Sequence, residues 1–221
     1  MFLSPKIIVI TGIDGSGKTT ISSLLATEIQ RRNKKVKIVQ QFAPNFIAKK
    51  IINRYGSKLI SFERNVSDNQ IFYSESRNES LTKTIFRKLA IFRIISFGFL
   101  HTITNFISNI DADVIVSDRY FYDNILKINW MYDNSYNPKW LSTLVPKPCL
   151  IVYLDVPAEV GWNREIEGNT TLEQHISKKK VYDEFFIAFK RNNWPILKVD
   201  AQMQKEEILN EILNKIDFVC L

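Results

Sequence analysis

The sequence predicts an α/β protein built as one domain over residues 1–221, with a doubly wound five-stranded parallel sheet and helices on both faces. Two observations carry the prediction. Short β-branched, apolar runs alternate with longer stretches of helical periodicity along the whole chain. The runs are almost continuously apolar rather than alternating, as strands buried on both faces of a parallel sheet are.

The first strand is KIIVIT, residues 6–11, and it runs directly into a glycine-containing turn. A helix follows over 18–32, where Ile21, Leu24, Leu25 and Ile29 recur near helical spacing. KVKIVQQ, at 35–41, is the second strand, and a long apolar pattern over 81–109 reads as a central helix. DVIVSD (113–118), CLIVYLDV (149–156) and PILKVDA (195–201) complete the strands. Helices are expected near 157–166, 173–191 and 203–217. Two breaks interrupt the alternation. NPKWLSTLVPKP, at 137–148, is a proline-bounded approach to the fourth strand. IEGNTT, at 166–171, has the polar composition of a lid, and the lid segment is placed near 164–180. An NKID match at 214–217 to the guanine-reading pattern of GTPases lies on the helical stripe of Ile208, Leu209, Ile212, Leu213 and Ile216. A guanine reader needs a strand end, so the match is chance.

Composition narrows the classes. Apolar residues make up 45% of the 221, as in an ordinary globular protein, and the net charge of +7 suits anionic partners. The lysines cluster in RRNKKVK and SKKK, which are solvated faces rather than a nucleic-acid stripe, so no nucleic-acid partner is expected. Cys149 and Cys220 suggest no disulfide framework or metal spacing, and the reducing cytoplasm is the expected location. His101 and His175 are too far apart in sequence to suggest a ligand pair. MFLSPK lacks the cleavage signal of a secretory leader. The stretch 89–110 is long enough to span a membrane, but Arg93, His101, Thr102, Thr104 and Asn105 interrupt it. A helix packed on the sheet or in a subunit interface is expected instead, with no integral membrane segment and a homodimer as the assembly.

The chemistry is concentrated in the first turn. Gly12, Gly17, Lys18 and Thr19 have the spacing G-x-x-x-x-G-K-T of a phosphate-binding loop, between a strand and a helix as that loop requires. Its backbone N–H groups, with Gly15, Ser16 and Thr20, would cradle a polyphosphate at a helix N-terminus. Lys18 would reach the outer phosphates and the Thr19 hydroxyl would bind Mg²⁺. The third strand ends in Asp118, a carboxylate where a second metal-positioning group is needed, and then Arg119, whose planar fork suits phosphate oxygens.

With GIDGSGKTT, DRY after the third strand, PKPCLIVYLDVPAEVGWNRE and NNWPILKVDA in order along the chain, the sequence resembles the thymidylate kinases among nucleoside monophosphate kinases. The resemblance implies a phosphate-loop kinase fold and transfer of the ATP γ-phosphoryl group to a nucleoside monophosphate, with thymidylate the leading acceptor. It implies that Asp14 contacts the acceptor's sugar, that Arg119 holds the acceptor phosphate, and that Arg164 closes over the donor from the lid. Lys178, Lys179 and Lys180 are further candidates for the lid cation, since the loop holds no arginine. The family's arginine after the second strand is replaced by QQFAPNFIAKK, leaving Lys49 or Lys50 as substitutes, and Phe42, Arg77 and Arg93 as candidates to meet the base. The rival readings are a phosphate-loop kinase with another nucleotide, a nucleoside or a sugar-like acceptor, and an inactive nucleotide-binding module.

Overall fold

A computed structural model describes residues 4–41, 81–132, 145–165 and 170–219. Among them lie strands β1 (Lys6–Thr11), β2 (Val36–Gln40), β3 (Val114–Asp118), β4 (Leu150–Asp155) and β5 (Ile196–Asp200). The helices are α1 (Lys18–Arg31), α2 (Leu81–Ser108), α3 (Phe121–Tyr132), α4 (Ala158–Arg164), α5 (Leu172–Arg191) and α6 (Lys205–Val219). The sheet order is β2-β3-β1-β4-β5 and every pairing is parallel. This is the predicted doubly wound α/β sheet, and the strands fall within one residue of their expected bounds at each end.

The side chains of β1 divide between the two faces. Ile8 and Ile10 enter one core with Ile21, Leu25 and Ile29 of α1 and Ile208, Ile212 and Ile216 of α6. Ile7 and Val9 enter the other with Phe121, Tyr122 and Ile125 of α3, and Ile95, Phe99 and Phe106 of α2 pack against it. Both faces are therefore covered, which is why the central strands carry no polar alternation. Tyr122 joins α3 to α5 through Phe185 and Phe189, and to Trp194, with ring centroids 5.0 to 6.0 Å apart. The NKID segment lies within α6 with Ile216 buried, away from any strand end.

Three differences from the sequence reading have physical causes. Helix α3 is not anticipated, because Phe121, Tyr122, Ile125 and Ile128 are aromatic or β-branched and weak helix formers. Leu24 is 36% exposed and belongs to the outer side of α1, whereas Leu25 is fully buried. Cys149 is disulfide-bonded, correcting the expectation of no disulfide framework; Cys220 lies outside the described residues. In α2, the window Ile91–Ser108 has a mean hydropathy of 1.3 and is long enough to cross a membrane. The same helix packs on α3 along one side and exposes Phe92, Leu100 and Ile107 along another.

The assignment of the α1 faces is testable. Leu25→Ala is expected to lower the unfolding free energy by about 2–5 kcal/mol and Leu24→Ala by less than about 0.5 kcal/mol, measured by urea denaturation.

Candidate active site

The loop between β1 and α1 turns because its three glycines, Gly12, Gly15 and Gly17, adopt backbone angles that side chains disfavour. Gly15 has φ of 77° and Gly17, the N-cap of α1, has φ of 86°. At Gly15 space is also decisive: a Cβ there would fall 2.0 Å from the Gly161 carbonyl oxygen of α4. The loop thus rests on the helix that follows β4, and its backbone N–H groups lie at the start of α1, where the helix dipole favours an anion.

Parallel pairing of β1 with β3 matches Ile10 to Asp118, so the loop and the end of β3 share one edge of the sheet. The Thr19 hydroxyl donates to Asp118 Oδ2 at 2.7 Å. These two oxygens are hard donors of the kind Mg²⁺ takes. Lys18 is buried and donates to the Ile13 carbonyl oxygen at 2.6 Å, lying 4.0 Å from Asp14. Burial, reinforced by the nearby Arg119 cation, lowers its pKa to about 8. The Ser16 hydroxyl is buried with no hydrogen-bond partner, as expected of a group awaiting a phosphate oxygen. A cavity of about 260 Å³ is lined by Asp14, Gly15, Gly17, Lys18, Thr19, Thr20, Asp118 and Arg119.

Asp14 is the electrostatic centre of this cavity. Arg119 Nη2 binds its Oδ1, Lys178 Nζ donates to its Oδ2 at 2.9 Å, and Lys18 lies near. Burial alone would raise the Asp14 pKa, but Arg119, Lys178 and Lys18 outweigh it and hold the carboxyl well below the usual range. Arg119 is the mirror case. Burial disfavours its charge, but the surrounding Tyr182, Asp123, Asp14 and Asp118 raise its pKa.

The lid candidates part company. Lys178 reaches the loop from α5 and lies 4.7 Å over the Trp130 ring. Lys179 is held by Asp155 and Asp183 at 2.7 and 2.6 Å, and Lys180 is exposed. Arg164 is exposed at the end of α4 and donates to the Ala201 carbonyl oxygen at 3.0 Å, beyond β5, rather than joining the Asp14 cluster. The sequence missed Asp123 and Tyr182, which stand behind Arg119. Asp123 follows that arginine by one helical turn, which is the signal that could have found it. Arg93 lies on α2. Phe42, Pro44, Lys49, Lys50 and Arg77 lie outside the described residues. Among the described residues no group of three His, Cys, Asp or Glu side chains could hold a metal ion.

No family model matches the chain. It is 28% identical over 211 residues to a probable thymidylate kinase 1 of Saccharolobus solfataricus, spanning 94% of this chain and 95% of that protein. It is 25% identical to the thymidylate kinase of Plasmodium falciparum, over 96% of this chain and 89% of that one. Among solved structures, a deoxyadenosine kinase from M. mycoides with dCMP and dCDP superposes with a TM-score of 0.61 at 18% identity. That match covers 96% of this chain and all of the other. The thymidylate kinase of Ehrlichia chaffeensis superposes with a TM-score of 0.58 at 16% identity, over 97% and 100% of the two chains. At these identities the superpositions bear on fold.

The low pKa of Lys18 gives the site a pH signature. The Lys18 ammonium is present below pH 8 in the free protein and is lost as pH rises through that value. The ATP dissociation constant is expected to be flat from pH 6.5 to 7.5 and to rise by about tenfold per unit above pH 8, measured by titration calorimetry.

Proposed function

We propose that this chain, similar to thymidylate kinases over nearly its whole length, is an ATP-dependent kinase of that type, moving the γ-phosphoryl group to a nucleoside monophosphate, thymidylate first. The observation that carries the reading is the meeting of two anion sites at one strand edge. The loop with Lys18 suits a polyphosphate, and Arg119 stands across Asp14 from it, ready for a second phosphate.

Mg²⁺ at Thr19 and Asp118 would neutralise charge between the outer phosphates of ATP. The residues fit, since two hard oxygens stand 2.7 Å apart at one edge of the cavity. Gly12, Gly15, Ser16, Gly17 and Thr20 supply the cradle, and Lys18 supplies the fixed positive charge over the group in flight. Arg119 orients the acceptor phosphate through its fork, and a lysine could not reproduce that geometry. Asp14, freed from its cations as phosphates take their place, is left to accept a hydrogen bond from the acceptor's sugar. Lys178 is the lid-side cation of this reading, because it already stands at the loop. Arg164 acts on the donor from the other end of the lid. The protein works as a homodimer, joined through the exposed apolar side of α2.

A second reading, a nucleoside as acceptor, is favoured by the missing arginine in QQFAPNFIAKK. A screen for ADP formation separates the two. Thymidylate is expected to be consumed faster than uridylate, cytidylate, guanylate or thymidine. Turnover of thymidine with none of thymidylate would establish the second reading.

Variants divide the roles. Asp118→Asn and Lys178→Ala are each expected to lower kcat by roughly 10²-fold or more. Arg164→Ala is expected to act mainly on the KM for ATP. The split is read from steady-state kinetics at saturating Mg²⁺.

A further inference from the structure

Arg119 occupies a left-handed backbone conformation, φ 68°, that a residue with a Cβ disfavours. Its backbone is held there from several directions. Its N–H donates to the Ile10 carbonyl oxygen at 2.9 Å, and its own carbonyl oxygen accepts from Ser117 Oγ at 2.6 Å. The next N–H, that of Tyr120, donates to Asp123 Oδ2 at 2.8 Å.

The other oxygen of Asp123 faces the arginine's side chain. Asp123 Oδ1 accepts from Thr11 Oγ1 and from the Tyr182 hydroxyl, each at 2.8 Å, and lies 3.8 Å from Arg119 Nη1. The Tyr182 hydroxyl in turn accepts from Arg119 Nη1 at 3.2 Å. A chain of donors therefore runs from guanidinium to phenol to carboxylate, and each bond polarises the next. Asp123 is 3% exposed, and a carboxylate buried that deeply is unfavourable unless charge and hydrogen bonds compensate it. A helix start needs only an acceptor at this position, for which a neutral side chain suffices. The charge is explained by the cation it faces.

The two ends of the guanidinium are held differently. Nη1 is fixed by the buried Tyr182 and Asp123, whereas Nη2 is bound to Asp14, which lines the cavity. We propose that Asp123, acting with Tyr182, is the positioning residue of Arg119: it anchors the Nη1 end so that the Nη2 end can exchange Asp14 for the acceptor phosphate without losing its aim. The inference rests on the kinase reading above. Tyr182 lies one helical turn beyond Lys178 on α5, so one helix supplies both the lid-side cation and the hydroxyl that steadies the arginine.

The test uses Asp123→Asn, which keeps an acceptor for the Tyr120 N–H, and Tyr182→Phe, which removes only a hydroxyl. Each is expected to raise the acceptor KM by roughly tenfold or more while the KM for ATP stays within about twofold. Adding Arg119→Lys to either variant is expected to cost much less than it costs the wild type, because both changes disable one unit. An Arg119 side-chain N–H resonance, slow to exchange with solvent in the wild type, is expected to broaden or vanish in both variants while the backbone amide spectrum is kept. Wild-type acceptor KM and an unchanged Arg119 resonance in the folded variants would overturn the proposal, as would full additivity with Arg119→Lys. The resonance needs no turnover. A wild-type protein that consumes no nucleoside monophosphate would therefore overturn the kinase reading, and the resonance would still decide the role of Asp123.

Discussion

The parallel pairing of β1 with β3 is the constraint on which the site depends. It sets Ile10 beside Asp118, so the chain that leaves β1 as a glycine loop meets the chain that leaves β3 as Asp118 and Arg119. The hydrogen bond from Thr19 to Asp118 closes this junction between residues 99 positions apart. A slip of one residue would turn Asp118 to the opposite face and separate it from Thr19 and the glycine loop. Such a slip is prevented by burial on both sides, because Ile8, Ile10, Val114 and Val116 fill one core while Ile7, Val9 and Ile115 fill the other.

Charge then organises what the register brings together. The loop gathers Lys18, Arg119 and Lys178 around the single carboxylate of Asp14. Buried cations of this kind are unfavourable without an anion, and Asp14 supplies one. The same carboxylate would repel a phosphate, so on the proposed reading donor binding would require Asp14 to rearrange. This coupling gives the acid in the loop a purpose that phosphate binding alone does not.

Much of this was legible in the sequence, and the omissions have causes. The strands are readable because continuous β-branched runs have few other uses, and the loop because its spacing is bound to one geometry. Helix α3 is hidden by weak helix formers, and its start is set by Asp123 reaching back to the Tyr120 N–H. SKKK reads as a solvated face, and two of its lysines do lie away from the loop. Only the phase of α5 against the sheet turns Lys178 toward Asp14 and Lys179 toward Asp155, a long-range fact without a local signature. Arg164 ends α4 at the start of the segment read from sequence as a lid, but its guanidinium meets Ala201 in space.

The central claim is that donor and acceptor phosphates share one cavity at the β1–β3 edge. It is tested most directly by calorimetric binding of adenosine and thymidine joined through a pentaphosphate, which spans both sites at once. The account predicts an affinity at least about 10²-fold above that of ATP, since the second half binds intramolecularly, and loss of this gain in Arg119→Ala. An affinity no greater than that of ATP, or a gain untouched by Arg119→Ala, would contradict it.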